Sequence, residues 1–241
     1  MPGESESLHV EHKRIVVKVG TNVLTAGSNE LNLSTMVNLV QQIATIQANN
    51  MEVLLVTSGA IAAGSHHVDT SDSISSLHPR DVQARQVFAA VGQSRLMSLW
   101  DNLFERHKMV VAQALLTATD LADRVSYLNA RNTLTRLIEL GVVPIINEND
   151  VVSVDEIDSH NIGDNDHLSA QVANLVDADL LLLLTDIDGL YSANPARNAD
   201  AELIREIPRV DATILQAAAG APGARGTGGM MSKVAARSML P

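Results

Sequence analysis

Two lysines stand where an anion could use them. Lys18 interrupts the apolar run "RIVVKV" at residues 14–19, and Lys233 closes the glycine-rich stretch "GARGTGGMMSK" at residues 223–233. An ammonium in a buried strand is costly without an anionic partner, because desolvation disfavours its charged form. In the second stretch Gly226, Gly228 and Gly229 permit close backbone approach and positive φ. Lys233 then falls in the first turn of an expected helix, so the segment reads as a phosphate cradle with a cationic end. A further segment, "TSGAIAAG" at residues 57–64, leads from a strand into a small-residue helix, which lets backbone N–H groups and the helix dipole face a carboxylate or phosphate. Neither segment matches G-x-x-x-x-G-K-[ST] or a dinucleotide fingerprint at a first βα turn, so the P-loop pattern is absent and a Rossmann dehydrogenase loses its main support.

Carboxylates crowd one part of the chain. Between Asn147 and Asp166 lie Glu148, Asp150, Asp155, Glu156, Asp158, Asp164 and Asp166, interspersed with Asn149, Asn161 and Asn165. A solvated acidic loop accounts for most such runs. However, "IGDND" directly precedes the helical pattern "HLSAQVANLV", which puts Asp164, Asn165 and Asp166 at a helix start. One of them is expected to cap the helix, and a second to hold a substrate ammonium, a lysine or Mg²⁺ through water. His66, His67, His160 and His167 have no metal-ligand spacing and read as surface residues, which leaves any metal ligands unassigned.

These residues must be positioned by a repeating framework. The runs at 14–19, 52–57, 108–116, 141–146 and 180–185 are near-continuously apolar, as expected of strands covered on both faces. Helical patterns lie between them. After Asn32, an expected N-cap, Leu33, Met36, Val37, Val40, Ile43 and Ala44 recur at i, i+3, i+4 spacing. Leu96, Leu99, Trp100, Leu103 and Phe104 form a second stripe, and Leu134, Leu137 and Ile138 a third that stops at Gly141. Repeated βα units imply an α/β fold with helices on both faces of a mainly parallel sheet, and ligands then gather at the carboxyl ends of the strands. The unusual residues fall there: Gly20 and Thr21, residues 58–64, residues 147–150, and "TDIDGLY" at residues 185–191.

Composition agrees with one large domain. The 241 residues are 46% hydrophobic, enough for a full core, and the formal charge of −11 repels polyphosphate backbones and argues against nucleic acid as a partner. There is no cysteine, which excludes disulfides, thiolate metal sites and a cysteine nucleophile. The polar start "MPGESESLHVEHK" has no apolar h-region and no later stretch approaches roughly 18 apolar residues, so no membrane partner is expected and a cytoplasmic location is.

The segments "VVKVGTNVLT", "LLVTSGAIAAG", "AAVGQSRLM", "YLNARNTL", "VPIINENDVV", "IGDNDHLSA", "LLLLTDIDGLYSANP" and "GTGGMMSK", in that order, resemble the glutamate 5-kinases of the amino acid kinase family. The resemblance runs from about Arg14 to Lys233. It implies a three-layer αβα sandwich with an open, mainly parallel sheet, and ATP-dependent phosphorylation of the L-glutamate side-chain carboxylate to L-glutamyl 5-phosphate, which enters proline synthesis. It also implies Lys18 on the phosphates, Lys233 stabilising the transferring group and Asp166 holding both lysines. Ser58, Asp150 and Asn165 match glutamate-binding positions, with Asp150 facing the α-ammonium and Asn147 assisting. Thr185, Asp186 and the segment Thr227, Gly228, Gly229, Met230, Met231, Ser232 and Lys233 match nucleotide contacts. Gly20, Gly59 and Gly228 lend backbone approach, and Tyr191 and Asn194 either border adenine or pack an ordinary turn. Mg²⁺ accompanies ATP, L-proline is an expected feedback inhibitor, and a dimer or tetramer is common in the family.

Departures from the family pattern are mostly mild. Asn194 stands where Asp is usual, Ser232 where Thr is common, and "DEIDSHNIGDND" is longer than the shortest family versions. Residues 1–13 read as a polar tail and 14–241 as a kinase domain shortened at its C-terminus, with no C-terminal accessory domain. Competing readings are acetylglutamate, aspartate or UMP kinase, which differ at "INEND" and "IGDND", or a non-catalytic sensor of glutamate or proline.

Overall fold

The computed structural model describes residues 13–68, 81–152, 164–195, 197–219 and 229–240. Five parallel strands, β1 (Arg14–Val19), β2 (Glu52–Thr57), β3 (Val111–Leu116), β4 (Val143–Glu148) and β5 (Leu180–Leu184), form one open sheet in the order β3-β4-β2-β1-β5. The helices around it are α1 (Thr21–Thr25), α2 (Leu33–Ala48), α3 (Ala60–Val68), α4 (Val82–Glu105), α5 (Ala118–Ala122), α6 (Arg124–Glu139), α7 (Asp164–Leu175), α8 (Ala212–Ala219) and α9 (Met230–Ser238). The expected α/β sandwich is therefore present.

Strand parity builds the layers. Successive side chains leave opposite faces of a strand. Ile15, Val17, Val19, Leu55 and Ile145 pack with Met36 and Ile43 of α2 and with Leu96, Trp100 and Phe104 of α4. Val16, Leu54, Val56 and Ile146 pack with Leu134 and Ile138 of α6 and with Leu168, Val172 and Leu175 of α7. Lys18 has the parity of Val16, so it leaves the sheet on the α7 side. Asn147 has the parity of Ile145, so it leaves toward α4.

Three expectations are corrected. Only the inner strands are covered on both faces: β1, β2 and β4 are almost wholly buried, whereas Gln113 on β3 and Leu182 on β5 are exposed. The reason is topological, since β3 and β5 are the sheet's edges. The fourth strand runs two residues later than 141–146, because Asn147 and Glu148 continue the ladder opposite Leu115 and Leu116 and are buried. The third strand starts at Val111 rather than at 108, since Lys108 has φ 58°, outside the extended region.

The helix ends follow local chemistry. Asn32 caps α2 by accepting from the Thr35 N–H at 3.0 Å, as expected. Thr117 and Asp120 make a reciprocal capping box on α5. Between β2 and α3 the chain turns at Gly59 with φ +101°, a conformation that L side chains rarely adopt. Helices α3 and α4 then cross backbone to backbone. A Cβ on Gly64 would stand 1.8 Å from the Phe88 carbonyl oxygen, and one on Gly92 would stand 1.8 Å from that of Ala60. This contact sets the height of the next residue, Gln93, against the end of β4.

Candidate active site

All five strands are parallel, so their carboxyl ends form a single rim, and the polar strand ends of the sequence meet along it. At its centre is Asp166, on the first turn of α7 and fully buried. One carboxylate oxygen lies 2.6 Å from Lys18 Nζ and the other 3.1 Å from Lys233 Nζ. Ser232 Oγ lies 2.6 Å from the second oxygen and 2.7 Å from the Gly229 carbonyl oxygen. The Ser169 hydroxyl donates to the Asp166 carbonyl at 2.7 Å, which ties the helix start down. Two cations more than two hundred residues apart thus share one anion.

The electrostatics follow from that sharing. Burial pulls the Lys18 ammonium below the ordinary lysine range; Asp166 opposes the shift and the neighbouring Lys233 charge adds to it. For Asp166 burial works in the raising direction, but Lys18, Lys233 and the hydrogen bonds from Lys18 and Ser232 outweigh it and hold the carboxyl below its usual range. The cluster is an ionised carboxylate between two ammonium groups.

The helix starts nearby leave the rim clear of capping side chains. Gly229 precedes α9 in extended conformation with no side-chain cap, and Gly20 does the same for α1. A Cβ at Gly20 would lie 3.5 Å from Lys18 Nζ, so the glycine keeps the ammonium's flank open.

Amides and the carboxylates Glu148 and Asp150 make up the other part of the rim. The Asn165 amide donates to Ser58 Oγ at 2.9 Å, linking the β2 end to α7, and the buried Asn165 Oδ1 has no hydrogen-bond partner among the described residues. Asn147, 2% exposed, donates to Gln93 Oε1 at 2.8 Å. Beyond Gln93 opens a recess of about 300 Å³ whose lining includes Gln113, Leu115, Asn149, Asp150 and Val151.

The sequence profile of the amino acid kinase family matches residues 13–238 of this chain. The chain belongs to the amino acid kinase family. Among curated proteins it is 51% identical over 225 residues to the glutamate 5-kinase of Dehalococcoides mccartyi (strain ATCC BAA-2266 / KCTC 15142 / 195), covering 93% of this chain and 59% of that one. It is 50% identical over 228 residues to that of Herpetosiphon aurantiacus, covering 95% and 60%. Against that of Shewanella halifaxensis it is 47% identical over 227 residues, covering 94% and 59%. The chain therefore spans about three fifths of the length of these relatives.

Within this family fold the expected site residues fall into three groups. Lys18, Asp166, Ser232 and Lys233 are brought into direct contact, and Gly229, Met230 and Met231 form the start of the helix that carries the last two. Ser58, Gly59, Asn147, Asp150 and Asn165 line the strand ends beside them, and Gly20 opens α1. Thr185 and Asp186 follow β5, where Asp186 accepts from the Asn22 amide at 2.9 Å instead of joining the lysines. Tyr191 and Asn194 serve a turn: Tyr191 bridges Leu203 and donates to Asp188 at 3.2 Å, and the Asn194 carbonyl accepts from Arg197 and Asn198. Thr227, Gly228 and His160 lie outside the described residues, as does the side chain of Asp164. The capping expected at "IGDND" is not the work of Asp166, whose carboxylate goes to the lysines.

Two participants were not singled out from the sequence. Asn22 steadies Asp186, and Gln93 pairs with Asn147. The available signal for Gln93 was a polar residue three positions before Leu96, on the inward stripe of an otherwise apolar helix face. Asn22 carried none, being an ordinary residue of a short helix.

Proposed function

We propose that this chain transfers the γ-phosphoryl group of ATP to the side-chain carboxylate of L-glutamate, giving ADP and L-glutamyl 5-phosphate, the first step of proline synthesis. The observation that carries this reading is Asp166 holding Lys18 and Lys233 with its two oxygens, at 2.6 and 3.1 Å. The glutamate 5-kinase names of the relatives support the choice of acceptor.

The reaction asks for positioning and charge neutralisation, not covalent help from the protein. A carboxylate oxygen of glutamate forms the new bond to phosphorus while the bond to the β–γ bridging oxygen breaks, and ADP leaves with that electron pair. No proton is transferred. The two anions repel, and Lys18 and Lys233 offset that repulsion from opposite sides of the migrating group. Asp166 keeps the ammonium groups apart and charged. Ser58 and Asn165 hold the reacting end of glutamate, Asp150 and Asn147 its α-ammonium end, and Thr185, Asp186 and the residues from Thr227 to Ser232 the nucleotide.

Magnesium favours carboxylates together with substrate phosphates. Both Asp166 oxygens face lysines, and among the described residues no three His, Asp or Glu side chains gather as a metal group, so the donors that fit Mg²⁺ are the phosphates of ATP itself. Bound there, it would spread the phosphate charge. L-proline as feedback inhibitor, a homo-oligomeric state and a cytoplasmic location complete the reading; no helix among the described residues is long and apolar enough to cross a membrane.

Trapping the acyl phosphate with hydroxylamine tests reaction and acceptor together. With ATP and Mg²⁺, L-glutamate gives the hydroxamate while N-acetylglutamate and aspartate do not. Preference for either of the other acceptors overturns the choice of substrate. Calorimetric binding of glutamate or proline without ADP release from ATP would indicate a sensor instead.

A further inference from the structure

We propose that Gln93 is a specificity-determining residue that reads the α-carboxylate of the amino acid acceptor; the inference rests on the function proposed above. Gln93 sits on α4, a helix whose other inward positions are apolar. Its Oε1 is occupied by the Asn147 amide at 2.8 Å. Its Nε2 is buried and has no hydrogen-bond partner among the described residues. A buried amide N–H₂ left unpaired is destabilising, so a side chain that keeps one is poised to meet an acceptor brought from outside. Gln93 lines the recess of about 300 Å³ at the rim together with Glu148 and Asp150.

Register places this donor at the far end of an amino acid substrate. Lys18 is level with Val56, and Val56 with Ile146, so Asn147 lies one residue beyond the level of the lysine. Strands β1 and β4 are separated by β2 alone, which sets them about 9–10 Å apart. Lys18 and Asn147 leave the sheet on opposite faces, so a glutamate that joins them lies over the strand ends across β2. With its side-chain carboxylate beside Lys18 and Ser58, its α-substituents reach the end of β4. Asp150 repels a carboxylate and attracts an ammonium; Gln93 Nε2 only donates. The two therefore sort the α-ammonium and the α-carboxylate between them. The Gly64 and Gly92 crossing that fixes α4 against α3 also fixes the position of this donor.

Two variants and one substrate analogue test the assignment. Gln93→Met removes donor and acceptor at nearly constant shape, whereas Gln93→Glu keeps an acceptor for Asn147 and loses the donor. Both are expected to raise the KM for L-glutamate at least tenfold while the KM for ATP stays within twofold. If Gln93 only props Asn147, Gln93→Glu keeps a near-normal glutamate KM and the inference fails. It also fails if the KM for ATP rises in step. Should both variants fail to fold, the wild-type protein still decides: 4-aminobutyrate lacks the α-carboxylate and must lose at least tenfold in kcat/KM relative to L-glutamate. Equal kcat/KM for the two acceptors overturns the proposal. If the wild-type protein forms no hydroxamate from L-glutamate, the function itself is wrong and both readings fall; if it does and the variants behave otherwise, only the role of Gln93 is lost.

Discussion

The two halves of the rim solve opposite problems. Around Asp166 the charged groups are already in contact before any ligand arrives: two lysines and a serine hydroxyl converge on one buried carboxylate. Around Asn147 amides stand beside the carboxylates Glu148 and Asp150, and among the described residues buried hydrogen-bonding atoms of Gln93, Asn147 and Asn165 stay unspent. A preassembled ion cluster costs little reorganisation when charge moves during a reaction. Unspent amide atoms cost stability until a ligand engages them, and that is how polar groups confer selectivity. Under the proposed function, phosphoryl handling is thus built into the folded state, whereas recognition of the acceptor is completed by the acceptor.

This contrast can be broken, most severely at Asp166. Asp166→Asn leaves the buried Lys18 ammonium without its carboxylate, removes the Lys233 ion pair as well, and should cost about 3 kcal/mol of stability at neutral pH, read from the urea midpoint. Because the folded-state carboxyl sits below its usual pKa, this stabilisation is present above about pH 4 and fades as pH falls through the folded value. The gap between wild type and variant should therefore narrow in acid. A gap that widens there would show that the ion cluster is not the source.

Lys233→Ala comes next. It should lower turnover by on the order of 10²-fold, the scale for losing a transition-state charge stabiliser, with a smaller effect on glutamate affinity. Unchanged turnover removes Lys233 from the chemistry. On the other half of the rim, Asp150→Asn is expected to raise the KM for glutamate roughly tenfold, in line with losing a charge-assisted hydrogen bond, and to leave that for ATP alone. A rise in the ATP constant instead would erase the division between the halves. The smallest effect belongs to Ser232→Ala, which deletes one hydrogen bond to Asp166 and should cost about 1.5 kcal/mol, measured by thermal or urea unfolding. Loss of the Asp166 interaction without any change in stability would mean that the lysines alone hold the carboxylate.

Much of the frame was legible from pattern. The bounds of β1 and β2 agree with their apolar runs because each run is short, rich in β-branched residues and closed by a glycine turn, which favours a buried strand over a helix. Edge position was not legible, since Leu182 on β5 and the inner-strand leucines look alike in sequence and differ only in what lies beside them. The late end of β4 was hidden for a related reason. Asn147 and Glu148 read as loop residues by composition, yet pairing with Leu115 and Leu116 carries them into the sheet. At the site, Lys18 and Lys233 announced themselves through an incongruous charge and a glycine-rich approach, while Gln93 was obscured within a long helix.

Strand parity and element order are properties of the chain alone: with a period of two, Lys18 must leave the sheet on the same face as Val16 whatever the surroundings. Which carboxylate in a run of seven would meet it was a matter of tertiary packing. Only the docking of α7 and α9 on that face brings Asp166 between two ammonium groups, and only the close crossing of α3 and α4 brings Gln93 to the end of β4. Contacts across such sequence distances depend on how layers stack, and no local preference encodes that.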